Sequence, residues 1–172
     1  MSEVCVVSDL HIGHRNICKY RPEFSSPEEH NDTLIDNVLG TCGKRDTLWL
    51  LGDICFSEEY DWIYRRFCAD IGQVNLVLGN HDTENKERQR ILRTAIEAGV
   101  RVHSLVSYKG CLLSHAPVHQ QELRGKYNIH GHMHRRVLDD PRYYNVCVEH
   151  TDWRPVAMRD VISKLKERCG EY

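Results

Sequence analysis

Short apolar runs alternate along this chain with longer stretches whose apolar residues recur at helical spacing. Glu3 to Ser8 (EVCVVS), Asp46 to Leu51 (DTLWLL) and Val74 to Leu78 (VNLVL) are brief and apolar, and they read as buried strands. The segments between them read as helices. Ser26-Pro27-Glu28-Glu29 supplies a helix start, with Ser26 as N-cap, Pro27 in the first position and Glu29 closing a capping box. Leu34, Ile35, Val38 and Leu39 then line one face, and Gly40 or Gly43 ends the helix. Ser57 caps a second predicted helix running to about Asp70, with Trp62, Ile63 and Phe67 inward. A third, heavily charged helix carries Ile91, Leu92, Ala95 and Ile96 on its apolar face, with Gly99 just past its end.

After Gly99 the pattern changes. Val102 to Tyr108, Cys111 to Ser114, Tyr127 to His130 and Tyr143 to Val148 are predicted strands. Lys109-Gly110 is the expected hairpin turn between the first two, and a helix over about Met158 to Arg168 closes the chain. Strand-helix alternation followed by strands predicts an α/β domain with two packed sheets and helices outside. Residues 1–172 fit a single domain.

Composition narrows the functional classes. The chain is 41% hydrophobic and 28% charged, with a net charge of −2, so it has no overall basic field for general nucleic-acid binding. No apolar run approaches the ~18 residues of a membrane span, and no membrane partner is expected. Eight cysteines are many for this length. The first predicted strand begins almost at Met1, so no secretory leader is expected. Cys5, Cys68, Cys111 and Cys147 fall inside predicted elements and read as small core residues in a reducing, cytoplasmic setting. No C-x-x-C pair is present to suggest a zinc ribbon or redox motif.

The chemistry lies at the strand ends. Asp9 and His11, Asp53, Asn80, His115, and then His132 and His134 each stand at the mouth of a predicted strand. Residues i and i+2 of an extended chain point the same way, so Asp9 with His11, and His132 with His134, can each serve one ion. The C-terminal ends of strands are where open α/β sheets place their sites. A D-x-H triplet or a Gly-Asp pair is common alone; five strand ends in series are not.

These residues resemble a known family. Asp9-x-His11, Gly52-Asp53, Gly79-Asn80-His81-Asp82, His115 and Gly131-His132-x-His134 are similar, in order, to the five blocks of the calcineurin-like metallophosphoesterases. The opening Ser8-Asp9-Leu10-His11-Ile12-Gly13-His14-Arg15-Asn16-Ile17 resembles a compact branch of that family from bacteria and their phages. The resemblance implies a four-layer α/β/β/α sandwich. It also implies that Asp9, His11 and His134 hold one metal ion, that Asn80, His115 and His132 hold a second, and that Asp53 bridges the two.

Two ions about 3.5–4 Å apart can clamp a phosphate and share a hydroxide that attacks phosphorus, so no Ser or Cys nucleophile is required. The departing alkoxide then needs a proton, for which His81 is the expected donor, with Asp82 expected to orient its ring. His14, Arg15, Asn16 and Arg135 are candidates for substrate contact, and Arg135 with Arg136 can bind a second phosphate or a nucleic-acid backbone. His119 and Arg124 lie in a polar segment expected at the substrate rim. His130 is expected to pack or hydrogen-bond rather than ligate, and His30, His103 and His150 to be structural or exposed. Imidazole and oxygen donors suit Mn, with Fe, Zn, Co or Ni as alternatives.

The expected function is a metal-dependent phosphodiesterase acting on nucleotides, cyclic phosphates or nucleic-acid ends. A phosphomonoesterase is the alternative, and a non-catalytic scaffold that keeps the fold is the reading from another class. Oligomeric state is not legible, because apolar residues outside the predicted core faces are scattered.

Overall fold

The computed structural model describes residues 2–170. Four parallel strands, β1 (Val4–Val7), β2 (Thr47–Leu50), β3 (Gln73–Val77) and β4 (Arg101–His103), and an antiparallel edge strand, β9 (Val156–Ala157), form one sheet in the order β4-β3-β2-β1-β9. A second sheet has the order β5-β6-β7-β8, built from Val106–Tyr108, Cys111–Ser114, Tyr127–His130 and Tyr143–Asn145. Its β5–β6 pair is an antiparallel hairpin, and β6, β7 and β8 run parallel. The hairpin turn is Lys109-Gly110, with φ of 44° and 81°, as a two-residue turn that follows the strand twist requires.

Period-2 alternation divides the core. Cys5, Val7, Leu48, Leu50, Val74 and Leu76 face three helices, α1 (Pro27–Thr41), α2 (Trp62–Asp70) and α3 (Lys86–Glu97). Val6, Trp49 and Val77 face the other way, onto Cys111, Leu113, Tyr127 and Ile129 of the second sheet. The closing helix α4 (Met158–Arg168) sends Met158, Val161 and Leu165 into that same core. The outer face of the second sheet, Leu112 and Tyr143, is covered by Leu123, Val118 and Leu138 beside a short 3₁₀ turn, Gln120–Glu122. The fold is therefore the expected α/β sandwich of two mixed sheets flanked by helices.

Several local expectations are corrected. Val102 to Tyr108 is not one strand: β4 ends at His103 and β5 begins at Val106, so the chain leaves one sheet and enters the other across Ser104-Leu105. The run is β-forming throughout and carries no Gly or Pro to mark the crossing. Ser57 caps a 3₁₀ turn, Glu58–Tyr60, rather than α2 itself. The register therefore restarts at Trp62; Ile63 and Phe67 point inward and Trp62 is 45% exposed. Ile96 is also exposed, leaving Ile91 and Ala95 as the buried face of α3. The Ser26 hydroxyl accepts from Glu29 N–H as predicted, but the Glu29 carboxylate turns to Ser25. β8 stops at Asn145, and Val148–His150 forms a 3₁₀ turn.

Among the described residues no helix is long and apolar enough to cross a membrane. None of the eight cysteines forms a disulfide, and Cys5, Cys42, Cys55, Cys111 and Cys147 are buried.

Candidate metal centre

Both sheets end their parallel strands at the same edge, and the predicted ligands meet there. Asp9 and His11 follow β1, Asp53 follows β2, Asn80 follows β3, His115 follows β6, and His132 and His134 follow β7. Asp9 and His11 share a target for a reason other than strand extension, whereas His132 and His134, expected to serve one ion, part to different groups. Asp9, His11, Asp53, His132 and His134 all have positive φ, between 47° and 67°. The left-handed region costs an L-residue on the order of 1 kcal/mol or more, and strain of this kind collects where a site needs a particular side-chain direction.

Two groups result. Ligand atoms of Asp9, His11 and His134 lie within 4.8 Å of one another, as do those of Asp53, His115 and His132. In the second group His115 Nε2 lies 3.0 Å from Asn80 Oδ1, 3.2 Å from His132 Nδ1 and 3.3 Å from Asp53 Oδ2. Those spacings match the edges, about 3.0–3.4 Å, of a shell of donors about 2.1 Å from one ion. Asp53 Oδ2 also lies 4.0 Å from His11 Nε2, so one carboxylate oxygen looks toward both groups. Asp53 Oδ1 is held by the His81 backbone N–H at 3.0 Å.

Hydrogen bonds leave the ligating atoms bare. Asp9 Oδ2 accepts from the Ser8 hydroxyl (2.6 Å), His132 N–H (2.8 Å) and the Cys147 thiol (3.2 Å). Asp9 Oδ1 and His11 Nε2 are buried and have no hydrogen-bond partner. Orphaned buried polar atoms are rare, and two converging on one point suit a cation. His115 Nδ1 donates to the Leu51 carbonyl (2.7 Å) and His134 Nδ1 to Glu149 Oε1 (3.0 Å), which frees each Nε2 for an ion. A donor set of imidazole, carboxylate and one amide therefore fits two divalent ions. Glycine is required beside it: a Cβ on Gly131 would overlap Ser8 Oγ and Asp9 Oδ2, and one on Gly79 would overlap Asp53 Oδ1.

Charge in the cage is strongly coupled. Burial disfavours ionised Asp9, but the neighbouring His11 imidazole, the positive charge of His115 and the Ser8 hydroxyl hold it well below the usual carboxylate range. Burial likewise disfavours charged His115, yet Asp53 and Asp9 outweigh it and raise the imidazole to about 9. Two carboxylates in this cage thus draw positive charge from whatever can supply it.

Glu149, which no motif marks, sits on the 3₁₀ turn after β8. Its Oε1 accepts from His134 and from Arg21 Nε (3.0 Å). Arg21, 1% exposed, also donates to the Asp9 carbonyl (2.6 Å), the Leu10 carbonyl (3.1 Å) and His30 Nε2 (2.8 Å). His30 is thus an interior acceptor. Burial, then Arg21, lowers it to about 4. Burial opposes the charge of Glu149, but His134 and Arg21 bring it down to about 2.

Both values lie below the ordinary 6.5 and 4.5, so the unfolded chain binds more protons than the folded one as pH falls. For these two groups the stability is fully present above pH 6.5, whereas His115, raised to about 9, withdraws its own contribution from the metal-free protein as pH climbs from 6.5 to 9. On the acid side stability should fall through pH 6.5 to 4 as His30 is protonated in the unfolded chain, then through 4.5 to 2 with Glu149. Each group accounts for roughly 3 kcal/mol. Urea titrations at stepped pH check this, and a flat midpoint between pH 7 and 4 would contradict it.

His81 stands beside the first group, its ring centroid 6.3 Å from that of His11. Asp82 does not orient it. The Asp82 carboxylate turns inward, where Oδ2 accepts from Gly79 N–H (2.7 Å) and Asp53 N–H (3.2 Å), tying two strand-end turns together. Glu84 takes the place foreseen for Asp82, with Oε2 2.6 Å from His81 Nδ1. The chain turns within 79–82, so the residue after His81 faces the backbone, whereas the i+3 residue comes round to its ring.

A cleft of about 520 Å³ opens over His11, His81 and His134. His14 and Arg135 line it, as do Ile17, Tyr20, Phe56 and Arg136. Arg15 and Asn16 do not: both are exposed, and Arg15 borders a different depression with Pro27 and Tyr60. The 3₁₀ turn Ile17–Lys19 buries Ile17 and carries the preceding two residues away. His119 borders a separate hollow, and Arg124 pairs with Glu122. His130 is buried, with Nδ1 2.8 Å from the Gly131 carbonyl oxygen, and belongs to neither ligand group.

Two sheets whose strand ends converge on two groups of His, Asp and Asn define a metallophosphoesterase scaffold. Residues 2–148 match the calcineurin-like phosphoesterase superfamily domain, and the chain belongs to that family. An uncharacterized protein of Methanocaldococcus jannaschii is 32% identical, over 98% of this chain and 93% of its own length. The gene 66 protein of Mycobacterium phage L5 is also 32% identical, over 99% of this chain and 97% of its own. The crystal structure of a protein of unknown function from Aquifex aeolicus superposes with a TM-score of 0.72 at 25% identity, covering 95% of this chain and 99% of that one.

Proposed function

We propose that the protein is a dinuclear metal-dependent phosphodiesterase acting on nucleotides, cyclic phosphates or nucleic-acid ends. The observation that carries this reading is the position of Asp53 Oδ2 between the two ligand groups, under a cleft that His81 also lines. Asp9, His11 and His134 would hold one ion, Asn80, His115 and His132 the other, and Asp53 would serve both. When bound, two divalent ions supply Lewis acidity toward the phosphate oxygens and a hydroxide nucleophile near neutral pH. Mn²⁺ is the proposed working metal, with Fe, Zn, Co or Ni as alternatives. Eight cysteines without a disulfide among them fit a reducing cytoplasm.

The chain's own residues do the rest. Glu84 fixes the His81 ring through Nδ1, which leaves Nε2 to give a proton to the departing oxygen. A proton donor matters most for a poor leaving group such as a sugar alkoxide, and this favours a diester. His81→Ala is expected to lower turnover of an unactivated alkyl diester by about 10²–10⁴-fold and that of a nitrophenyl ester far less. Glu84→Gln should move rates in the same sense by about 10-fold. Equal losses on both substrates would leave His81 a phosphate-positioning role only.

The first experiment is to strip the protein with chelator, reload it with Mn²⁺ and compare bis-nitrophenyl with mono-nitrophenyl phosphate. Turnover that favours the diester supports the proposal; preference for the monoester makes the protein a phosphatase. No turnover of either ester, with two ions bound, rejects both.

A further inference from the structure

Cleft walls often state what part of a ligand they receive. Here the wall beside the metal centre is aromatic, and most of its rings are already engaged. One face of Phe56 stacks on His11 (4.4 Å, 19°), while the Arg88 guanidinium lies 4.4 Å from its ring centre. His14 is flanked by Phe56 at 5.4 Å and Tyr20 at 5.9 Å. Tyr20 differs. It is 69% exposed, and His14 meets it edge-on at 80°. It is also firmly mounted: its N–H donates to the Ile17 carbonyl (2.9 Å), and its neighbours Ile17 and Arg21 are buried. A large ring held into solvent over a catalytic cleft forfeits burial, and a stacked ligand restores it.

The charge at the rim points the same way. Arg21 is engaged by Glu149 and Arg135 by Glu23. Arg136 also lines the cleft, and no carboxylate partner is recorded for it among the described residues. A volume of about 520 Å³ lies within the usual range for small-ligand sites, about 300–1,000 Å³.

We propose that Tyr20 is the stacking platform of a nucleobase subsite, so that the organic part of the phosphate ester is a nucleoside. This rests on the phosphoesterase reading above and names its substrate class. The base lies on the free face of Tyr20, the sugar passes over Met133, and Arg136 offsets the charge of an anionic ligand. Stacking on an aromatic face is tolerant of base identity, so Tyr20 selects nucleosides over other alcohols and not one base over another.

The test separates the base from the phosphate. Adenosine 5′-monophosphate and ribose 5-phosphate share sugar and phosphate and differ in the base. Calorimetry on the Mn²⁺-loaded protein is expected to give about tenfold tighter binding of the adenosine compound. Tyr20→Ala should abolish that ratio and leave ribose 5-phosphate affinity unchanged, whereas Tyr20→Phe should keep it. Equal affinity of the two ligands for the native protein, or a ratio that survives Tyr20→Ala, overturns the subsite. The phosphoesterase reading fails separately, if neither nitrophenyl ester is hydrolysed. The binding ratio can still be read in that case, because it needs no turnover.

Discussion

Asp53→Asn is expected to reduce metal-dependent diester hydrolysis by about 10³-fold and to leave the fold intact. The change removes one negative charge from the group whose Oδ2 lies 3.3 Å from His115 Nε2 and 4.0 Å from His11 Nε2. Loss of a bridging carboxylate forfeits several kcal/mol of metal-borne charge stabilisation, and each 1.36 kcal/mol is about tenfold in rate. The asparagine can still accept the His81 N–H bond through its carbonyl oxygen, so the local backbone has no reason to move. Metal analysis and kinetics on the same preparation check this together. A variant that still holds two ions and turns over within tenfold of the native rate would remove Asp53 from the centre of the site.

Arg21→Met should be the most damaging single change to stability. Arg21 is 1% exposed and its carboxylate partner Glu149 3%, so truncation strands a buried charge. The expected cost is about 3–5 kcal/mol, or roughly 10 °C in melting temperature for a chain of this size. It also strips the Asp9 and Leu10 carbonyls of their donor, so metal affinity should weaken by about 10–100-fold. Pairing the change with Glu149→Gln should recover part of the stability but not the affinity, because Glu149 also holds His134. Differential scanning calorimetry with and without Mn²⁺ reads both effects. A melting temperature unchanged in Arg21→Met would show that the pair is not load-sharing.

The contrast between Asp53 and Arg21 shows which parts of the site were written locally. Asp53, Asn80 and the His132/His134 pair follow glycines at strand ends, where short-range pattern and residue type coincide. Most strand positions were legible from apolar runs for the same reason. The break at Ser104-Leu105 was not, because it is caused by the edge of a second sheet rather than by any residue in the run. Glu149 was hidden too: it is 128 positions from Arg21 and 15 from His134, and a 3₁₀ turn delivers it just past the end of a predicted strand. The exchange of Asp82 for Glu84 turned on three residues of turn geometry, which residue type does not encode. Tyr20 was passed over because an exposed tyrosine has no meaning until the cleft beneath it exists.

The ligands come from opposite halves of the sandwich. Asp9 and His11 belong to the β1 side while His134 leaves β7; Asp53 and Asn80 belong to the first sheet while His115 and His132 leave the second. Each ion would therefore rivet one sheet to the other, across chain separations as long as the 125 positions from Asp9 to His134. A clasp across so long a loop removes much of the freedom of the unfolded chain. Starvation for metal would then act as a solvent of the domain's upper seam as well as a brake on its chemistry, and loading would complete assembly in the same event that confers reactivity.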